Sequence, residues 1–241
     1  ASKHAVYVLA CDINKKALDL VKKKIQKENI ENIRVLESDM FDFLGKNFFD
    51  LKTKKFEKSE KKNKFDLIIF NPPYLAEDKG IEDKSIYGGK KGYEITERFL
   101  EEVDVFLKKE GKILFVSSSL IDQEKIQEII KNNLFLGKVI DSKHFFFEDI
   151  IIFLIEKSEI LKNLEKKGIS DIEFFTSGKR GRIFTGNLNN IKVGIKIKKQ
   201  DTEAINIIKN EVRILKVLNQ KNIGPKFFMA GRNFFVYEFV Q

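Results

Sequence analysis

The chain has 241 residues, 42% of them hydrophobic, which is enough for a packed core and excludes wholesale disorder. A single cysteine, Cys11, excludes a disulfide framework and a multi-cysteine zinc site, and no metal site is expected. The net charge is +9, but lysines sit among acids, as in 57–64 and 162–167, so the surplus reads as a solvated surface rather than a nucleic-acid groove.

Apolar runs such as 150–155 are too short to span a bilayer, and no signal-peptide pattern opens the chain, so a soluble cytoplasmic protein is expected. In chain order, 6–10 is a β-branched run ending at Cys11-Asp12 and reads as a buried strand. Ala17, Leu18, Val21 and Ile25 then recur at helical spacing over 15–28. Residues 33–36 form the next strand, stopping at Glu37-Ser38-Asp39. The lysine-rich stretch 45–64 has no clean period and reads as an insertion or exposed loop. A continuous apolar strand at 66–70 halts at Asn71-Pro72-Pro73-Tyr74. A helix at 94–109, a strand at 112–117, a helix at 122–132 and strands at 137–141 and 150–156 follow. This alternation predicts an α/β fold with a mostly parallel sheet covered on both faces, closed by an antiparallel hairpin. The run Phe145-Phe146-Phe147 reads as core and edge packing, and His4 and His144 lack ligand spacing.

Near residue 160 the pattern changes. A charged helical stretch at 159–167 leads to Phe174-Phe175, a glycine-containing turn, and strands near Ile183 and at 193–197. A helix at 202–218 and strands near 226–229 and 234–239 complete an α+β succession. Domains at 1–157 and 170–241 are expected, joined by a linker helix at 158–169.

The informative tetrapeptide is Asn71-Pro72-Pro73-Tyr74, because ligands of open α/β sheets bind beyond the carboxyl ends of strands. Two prolines remove two backbone donors and stiffen the turn. The Asn71 side-chain oxygen and the carbonyls of Asn71 and Pro72 are placed to accept from a planar NH₂ group, with Tyr74 as a stacking face. Fixing that nitrogen prepares it to attack an electrophilic methyl in line. The plain reading of the same residues is a rigid structural turn. Asp12 and Asp39, each following a strand, suit the ribose hydroxyls and the adenine amine of a nucleoside cofactor, with the Met40 backbone beside the latter. Taken singly, each is an ordinary cap or turn former.

These residues resemble a known family. CDIN at Asp12, ESDMFD at Asp39 and FNPPY at 70–74 make 1–157 similar to class I S-adenosylmethionine-dependent methyltransferases of the HemK type. YGGKKGYEITERFL, with Gly88, Gly89 and Gly92, and KHFFFEDIIIFLIEK resemble its archaeal and eukaryotic branch, which methylates the glutamine amide of translation release factors. The resemblance implies a partial Rossmann-like methyltransferase sheet and S-adenosylmethionine as cofactor. It places catalysis at Asn71, Pro72 and Tyr74, and cofactor binding at Asp12, Ile13, Asp39, Met40 and Asn71. A release factor as substrate and a small zinc-containing activator protein as partner are implied with it. The NPPY motif is shared with adenine-N6 methyltransferases of DNA and RNA, so a nucleic-acid acceptor is the alternative. The family's first strand and glycine-rich loop would fall before Ala1, which makes a non-catalytic fragment or interaction protein the third reading.

Residues from about 170 resemble the N-terminal lobe of a small archaeal serine/threonine protein kinase. SGKRGRIF at 177–184 matches a phosphate loop with few glycines, VGIK ends at Lys196, and NEVRIL carries Glu211 on the following helix. The resemblance implies ATP at Gly178, Gly181, Lys196 and Glu211. The kinase's catalytic and metal-binding acids have no counterpart in 170–241, so phosphoryl transfer by this chain alone is not expected.

Overall fold

A computed structural model describes residues 2–50, 55–58, 63–77, 85–199 and 206–240. The chain divides into two compact units: Ala1–Asp66 with Glu102–Lys108, and Leu67–Glu101 with Lys109–Gln241.

In the first unit, β1 (Val8–Asp12) and β2 (Ile33–Glu37) pair in parallel, with Val8 opposite Ile33 and Asp12 opposite Glu37. Parallel neighbours need a crossover, and α1 (Lys15–Lys27) supplies it. Asn14 starts that helix by accepting from the Lys16 and Ala17 amides at 3.0 and 3.3 Å. After β2 comes α2 (Asp42–Lys46), and Phe41, Leu44, Val103, Phe106 and Leu107 are buried in this unit. The rings of Phe41 and Phe106 stack at 4.5 Å. Two expectations fail here. The strand expected to be buried at 6–10 begins at Val8, with Val6 93% exposed and Cys11 and Asp12 open as well. The stretch expected to be a loop contains β3 (Asn47–Asp50) and β4 (Lys55–Lys58), an antiparallel pair with Phe49 opposite Phe56. The strand preference of its phenylalanines outweighs the interrupting lysines.

The second unit holds most of a four-stranded sheet in the order β5-β8-β10-β9, made of β5 (Phe65–Phe70), β8 (Leu107–Ser118), β10 (Glu148–Lys157) and β9 (Phe135–Phe145). The hairpin expected from the sequence is antiparallel, with a bulge at Ile152/Phe153, and β10 is antiparallel to β8 too. Ile113, Phe115, Phe153 and Ile155 are buried, as are Ile126, Ile129 and Ile130 of α4 (Gln123–Asn132). Asp122 caps α4 through the Lys125 amide at 3.0 Å. The strand before Asn71 is not buried throughout, as its composition suggested. Leu67 and Ile69, alternate residues that share one face of β5, are 49% and 60% exposed.

Boundaries differ as well. The helix expected to reach 109 is α3 (Glu94–Glu102), followed by a 3₁₀ turn at Val103–Phe106. β-branched and aromatic residues in that turn carry low helix propensity. β8 and β9 outrun their apolar segments because outward-facing lysines still pair through the backbone. Phe146 and Phe147 are not packed at all: they are 94% and 77% exposed.

Beyond β10, Ser158 caps α5 (Glu159–Lys166), which buries Leu161 and Leu164. The buried Lys157 forms an ion pair with Glu165. A β-rich region follows, a five-stranded antiparallel sheet in the order β11-β12-β13-β15-β14. Its strands are β11 (Ile169–Ser177), β12 (Gly181–Leu188), β13 (Ile191–Lys198), β14 (Phe227–Ala230) and β15 (Phe234–Glu238). In the chain, α6 (Ile207–Asn219) lies between β13 and β14. The earlier residues expected in that helix, 202–205, lie outside the described residues. Phe184, Val193, Ile195, Ile197, Ile208 and Val236 are buried here. The architecture is a mixed α/β sheet followed by an extra β-rich region. No helix among the described residues is long and apolar enough to cross a membrane.

Candidate active site

The Asn71 loop is held from both ends. Before it, the Phe70 ring stacks on Phe99 of α3 at 4.1 Å, which fixes the point where the chain leaves β5. After it, β6 (Leu75–Ala76) pairs in parallel with β7 (Tyr87–Gly89), and the Glu77 amide donates to the Gly89 carbonyl at 3.0 Å. Gly88 and Gly92 are packed against the loop itself: a Cβ on Gly88 would meet the Pro73 carbonyl at 2.6 Å. Gly92, at φ +86°, makes the same close approach to the Tyr74 carbonyl. The Glu94 carboxylate closes the glycine loop by accepting from the Lys91 and Tyr93 amides at 3.0 and 3.2 Å. Pro72 is buried, Tyr74 half-buried and Asn71 exposed. A rigid backbone thus presents the Asn71 side chain at the carboxyl end of a strand.

One neighbour of this loop, Glu148, was missed from the sequence. Glu148 accepts a hydrogen bond from Ser118 Oγ at 2.6 Å. Burial, and then the negative charge of Glu148, push the Tyr74 phenol above its ordinary value and keep it protonated. Gln123 closes the turn beyond Ser118, its Nε2 donating to the Ser118 carbonyl at 2.7 Å and to the Ile121 carbonyl at 3.1 Å. The signal available was the triplet Ser117-Ser118-Ser119 directly after an apolar strand.

In the first unit, Asp12 and Asp39 come to the same end of the parallel pair. Asp12 is the last residue of β1, and its carbonyl accepts from the Ser38 amide at 3.1 Å, tying the two strand ends together. Its Oδ1 accepts from the Asn14 amide at 2.8 Å, and the side chain is exposed. Asp39 is exposed too, and Met40 takes a left-handed φ of +44° in the turn. Ser38 Oγ braces this turn, donating to the Met40 carbonyl and accepting from the Phe43 amide, both at 3.1 Å. Ile13 is 63% exposed beside Asp12. Two open carboxylates at one strand end are acceptors of the kind that hydroxyl and amino donors of a nucleoside require. Asn71 belongs to the second unit.

In the β-rich region, the residues singled out also gather. The Gly178 amide donates to the Gly181 carbonyl at 2.9 Å, making a tight turn. A Cβ on Gly181 would stand 3.3 Å from Lys196 Cε, so the turn lies over that side chain. Lys196 Nζ donates to Glu211 at 2.7 Å, and both side chains are about a quarter exposed, at 24% and 30%. Burial first and the Glu211 charge second raise the phenol of neighbouring Tyr237.

The family model of the Eco57I restriction-modification methylases matches residues 3–153. The chain belongs to this family. A putative protein N5-glutamine methyltransferase of Methanocaldococcus jannaschii is 31% identical over 157 residues, covering 63% of this chain and 71% of that protein. The release factor glutamine methyltransferase of Aquifex aeolicus is 30% identical over 136 residues, but the match covers 52% of this chain and only 42% of the relative. Among solved structures, a methyltransferase from Pyrococcus furiosus is similar at 22% identity, covering 63% of both chains with a TM-score of 0.40. As an Eco57I-family methylase, the chain is a class I S-adenosylmethionine-dependent methyltransferase, related distantly to the release-factor glutamine methyltransferases.

Proposed function

We propose that the chain transfers a methyl group to the nitrogen of a planar NH₂ group seated at residues 71–74. The observation that carries this is the exposed Asn71 at the end of β5, set in a backbone fixed by Pro72, Pro73, Gly88 and Gly92. Asn71 Oδ1 and the carbonyls of Asn71 and Pro72 accept the two N–H groups, and Tyr74 covers the face of the plane. Held so, the nitrogen lone pair is aimed rather than free to rotate. Asp12 with Ile13 would hold the ribose of S-adenosylmethionine, and Asp39 with Met40 its adenine. When bound, that cofactor supplies an electrophilic methyl on its sulfonium.

Two acceptors carry such a group. The family match favours the exocyclic amine of adenine in a nucleic acid. The names of the relatives favour a side-chain amide of a protein, the glutamine of a release factor; the small zinc-containing activator implied by the HemK-type resemblance would be its partner. Offering the protein radiolabelled S-adenosylmethionine with a release factor, adenine-containing single strands and duplex DNA separates them. Label in either acceptor class that is lost in Asn71→Ala supports the reading. Label that survives Asn71→Ala sinks the role of this loop.

A second reading concerns residues 170–241. The Lys196–Glu211 pair beneath the Gly178–Gly181 turn favours a kinase-like lobe that binds ATP phosphates.

A further inference from the structure

The turn between β9 and β10 is built against its own folding preferences. The connection is two residues long, Phe146 and Phe147, where glycine, asparagine or aspartate follow the hairpin twist at least cost. Phe146 instead holds φ +44°, a region that bulky aromatic residues rarely enter. Neither ring is buried in return: the two are 94% and 77% exposed, and neighbouring Phe145 is 42% exposed. Packing within the chain therefore does not account for this tip.

Its charges are engaged close by. Lys143 Nζ lies over the Phe145 ring at 4.9 Å, and His144 Nδ1 is 2.8 Å from Asp149 Oδ1. Glu148 takes the Ser118 hydroxyl. One lysine stands against two carboxylates, so the tip offers no cationic surplus to phosphates. What it does offer is exposed aromatic surface, the kind that fills apolar pockets at protein interfaces.

The base of the tip is at the candidate active site. The Asp149 amide donates to Ser119 Oγ at 2.8 Å, and the Ser119 amide to the Asp149 carbonyl at 2.9 Å. The turn that follows Ser119 reaches the glycine loop, where a Cβ on Gly92 would stand 2.7 Å from Ile121 Cγ2 and 2.4 Å from the Tyr74 carbonyl.

We propose that Phe146 and Phe147 dock the acceptor protein, inserting into an apolar pocket of that protein next to the side-chain amide presented to Asn71. This rests on the protein-amide reading of the transfer. The tip sets affinity for the whole acceptor and takes no part in the methyl transfer.

The double substitution Phe146→Asn with Phe147→Gly tests this, because it installs a favoured hairpin turn and leaves the fold intact or more stable. Binding of a release factor to the full chain is measured by calorimetry for the wild type and the variant, beside thermal unfolding. An adenine-containing single-stranded oligonucleotide serves as the second probe. At least tenfold weaker release-factor binding, with an unchanged or raised unfolding midpoint and unchanged oligonucleotide binding, is the expected result. Equal release-factor binding by both proteins overturns the docking role while leaving the amide reading in place. Binding of the oligonucleotide alone by the wild type removes the amide reading, and the proposal with it. Oligonucleotide binding that falls in the variant assigns the tip to nucleic acid instead.

Discussion

A Cβ built on Gly92 would stand 2.4 Å from the carbonyl oxygen of Tyr74, and 2.7 Å from Cγ2 of Ile121. The backbone of the glycine loop is thus pressed against the loop that ends at Tyr74, and it holds φ +86° to do so. Gly92→Ala is expected to cost about 2–3 kcal/mol in denaturant unfolding, by clash and backbone strain together. It should also reduce methyl transfer beyond what the lost stability explains. Gly178→Ala is the comparison: its nearest neighbour would be the Gly181 carbonyl at 3.8 Å, so little change in stability is expected.

Lys157 is buried and forms its ion pair with Glu165, in the last turn of α5. Glu165→Ala removes the carboxylate that pairs with the buried ammonium. A loss of roughly 3 kcal/mol is expected from chemical denaturation, since breaking one side of a buried pair is costly. Lys157→Met with Glu165→Leu should recover most of it. A double variant as unstable as Glu165→Ala would show that shape, not charge, governs the site.

Cys11 lies at an exposed strand end, yet partial withdrawal of its thiol from water, first, and the Asp12 carboxylate, second, raise it to about 11. At pH 8 only about a thousandth of it is thiolate, so alkylation by iodoacetamide should be roughly a hundredfold slower than for a free cysteine. The folded chain holds this proton more tightly than the unfolded one. Its contribution to stability is therefore complete below about pH 9 and falls as the pH rises towards 11. Asp12→Asn removes the smaller cause and should speed alkylation only modestly. Fast modification of the native protein at pH 8 would contradict this environment.

Lys196 and Glu211 meet under the Gly178–Gly181 turn. If that region holds nucleotide, Lys196→Ala should weaken binding of a fluorescent ATP analogue at least tenfold, and Glu211→Gln several-fold. Gly181→Ala should weaken it as well, because its Cβ would stand 2.8 Å from the Ile197 carbonyl. Analogue binding that none of the three changes would remove nucleotide from this turn.

The sequence made the alternating α/β order, the closing hairpin and the Asn71 loop legible, because period, proline and glycine act locally. Lys196 and Glu211 were legible as a pair only through the resemblance of residues 170–241 to a kinase lobe. What stayed hidden depended on coverage from elsewhere in the chain. Leu67 and Ile69 have the composition of a buried strand, yet half of each or more is open. Phe146 and Phe147 look like core by residue type, and only the turn geometry turns them outward. Glu148 gave no signal, since its closeness to Tyr74 comes from strands paired across thirty residues. The β3–β4 hairpin was masked by lysines that have no period of their own.

The last turn of α4 also receives a donor from far along the chain. Arg182 Nη1, at the start of β12, donates to the carbonyl of Lys131 at 2.8 Å, fifty-one positions back along the chain. Carbonyls at a helix end have no partner within the helix. The Lys131 carbonyl already accepts from the Leu134 amide at 3.1 Å, and the Ile129 carbonyl from the Asn133 amide at 3.1 Å, so Arg182 is a second donor to this helix end. Burial of the guanidinium, which lowers its ordinary value, marks how far it leaves solvent to make this bond. Loss of Arg182 would therefore leave the helix end closed by Asn133 and Leu134 and remove only a long-range tether between α4 and the β-rich region.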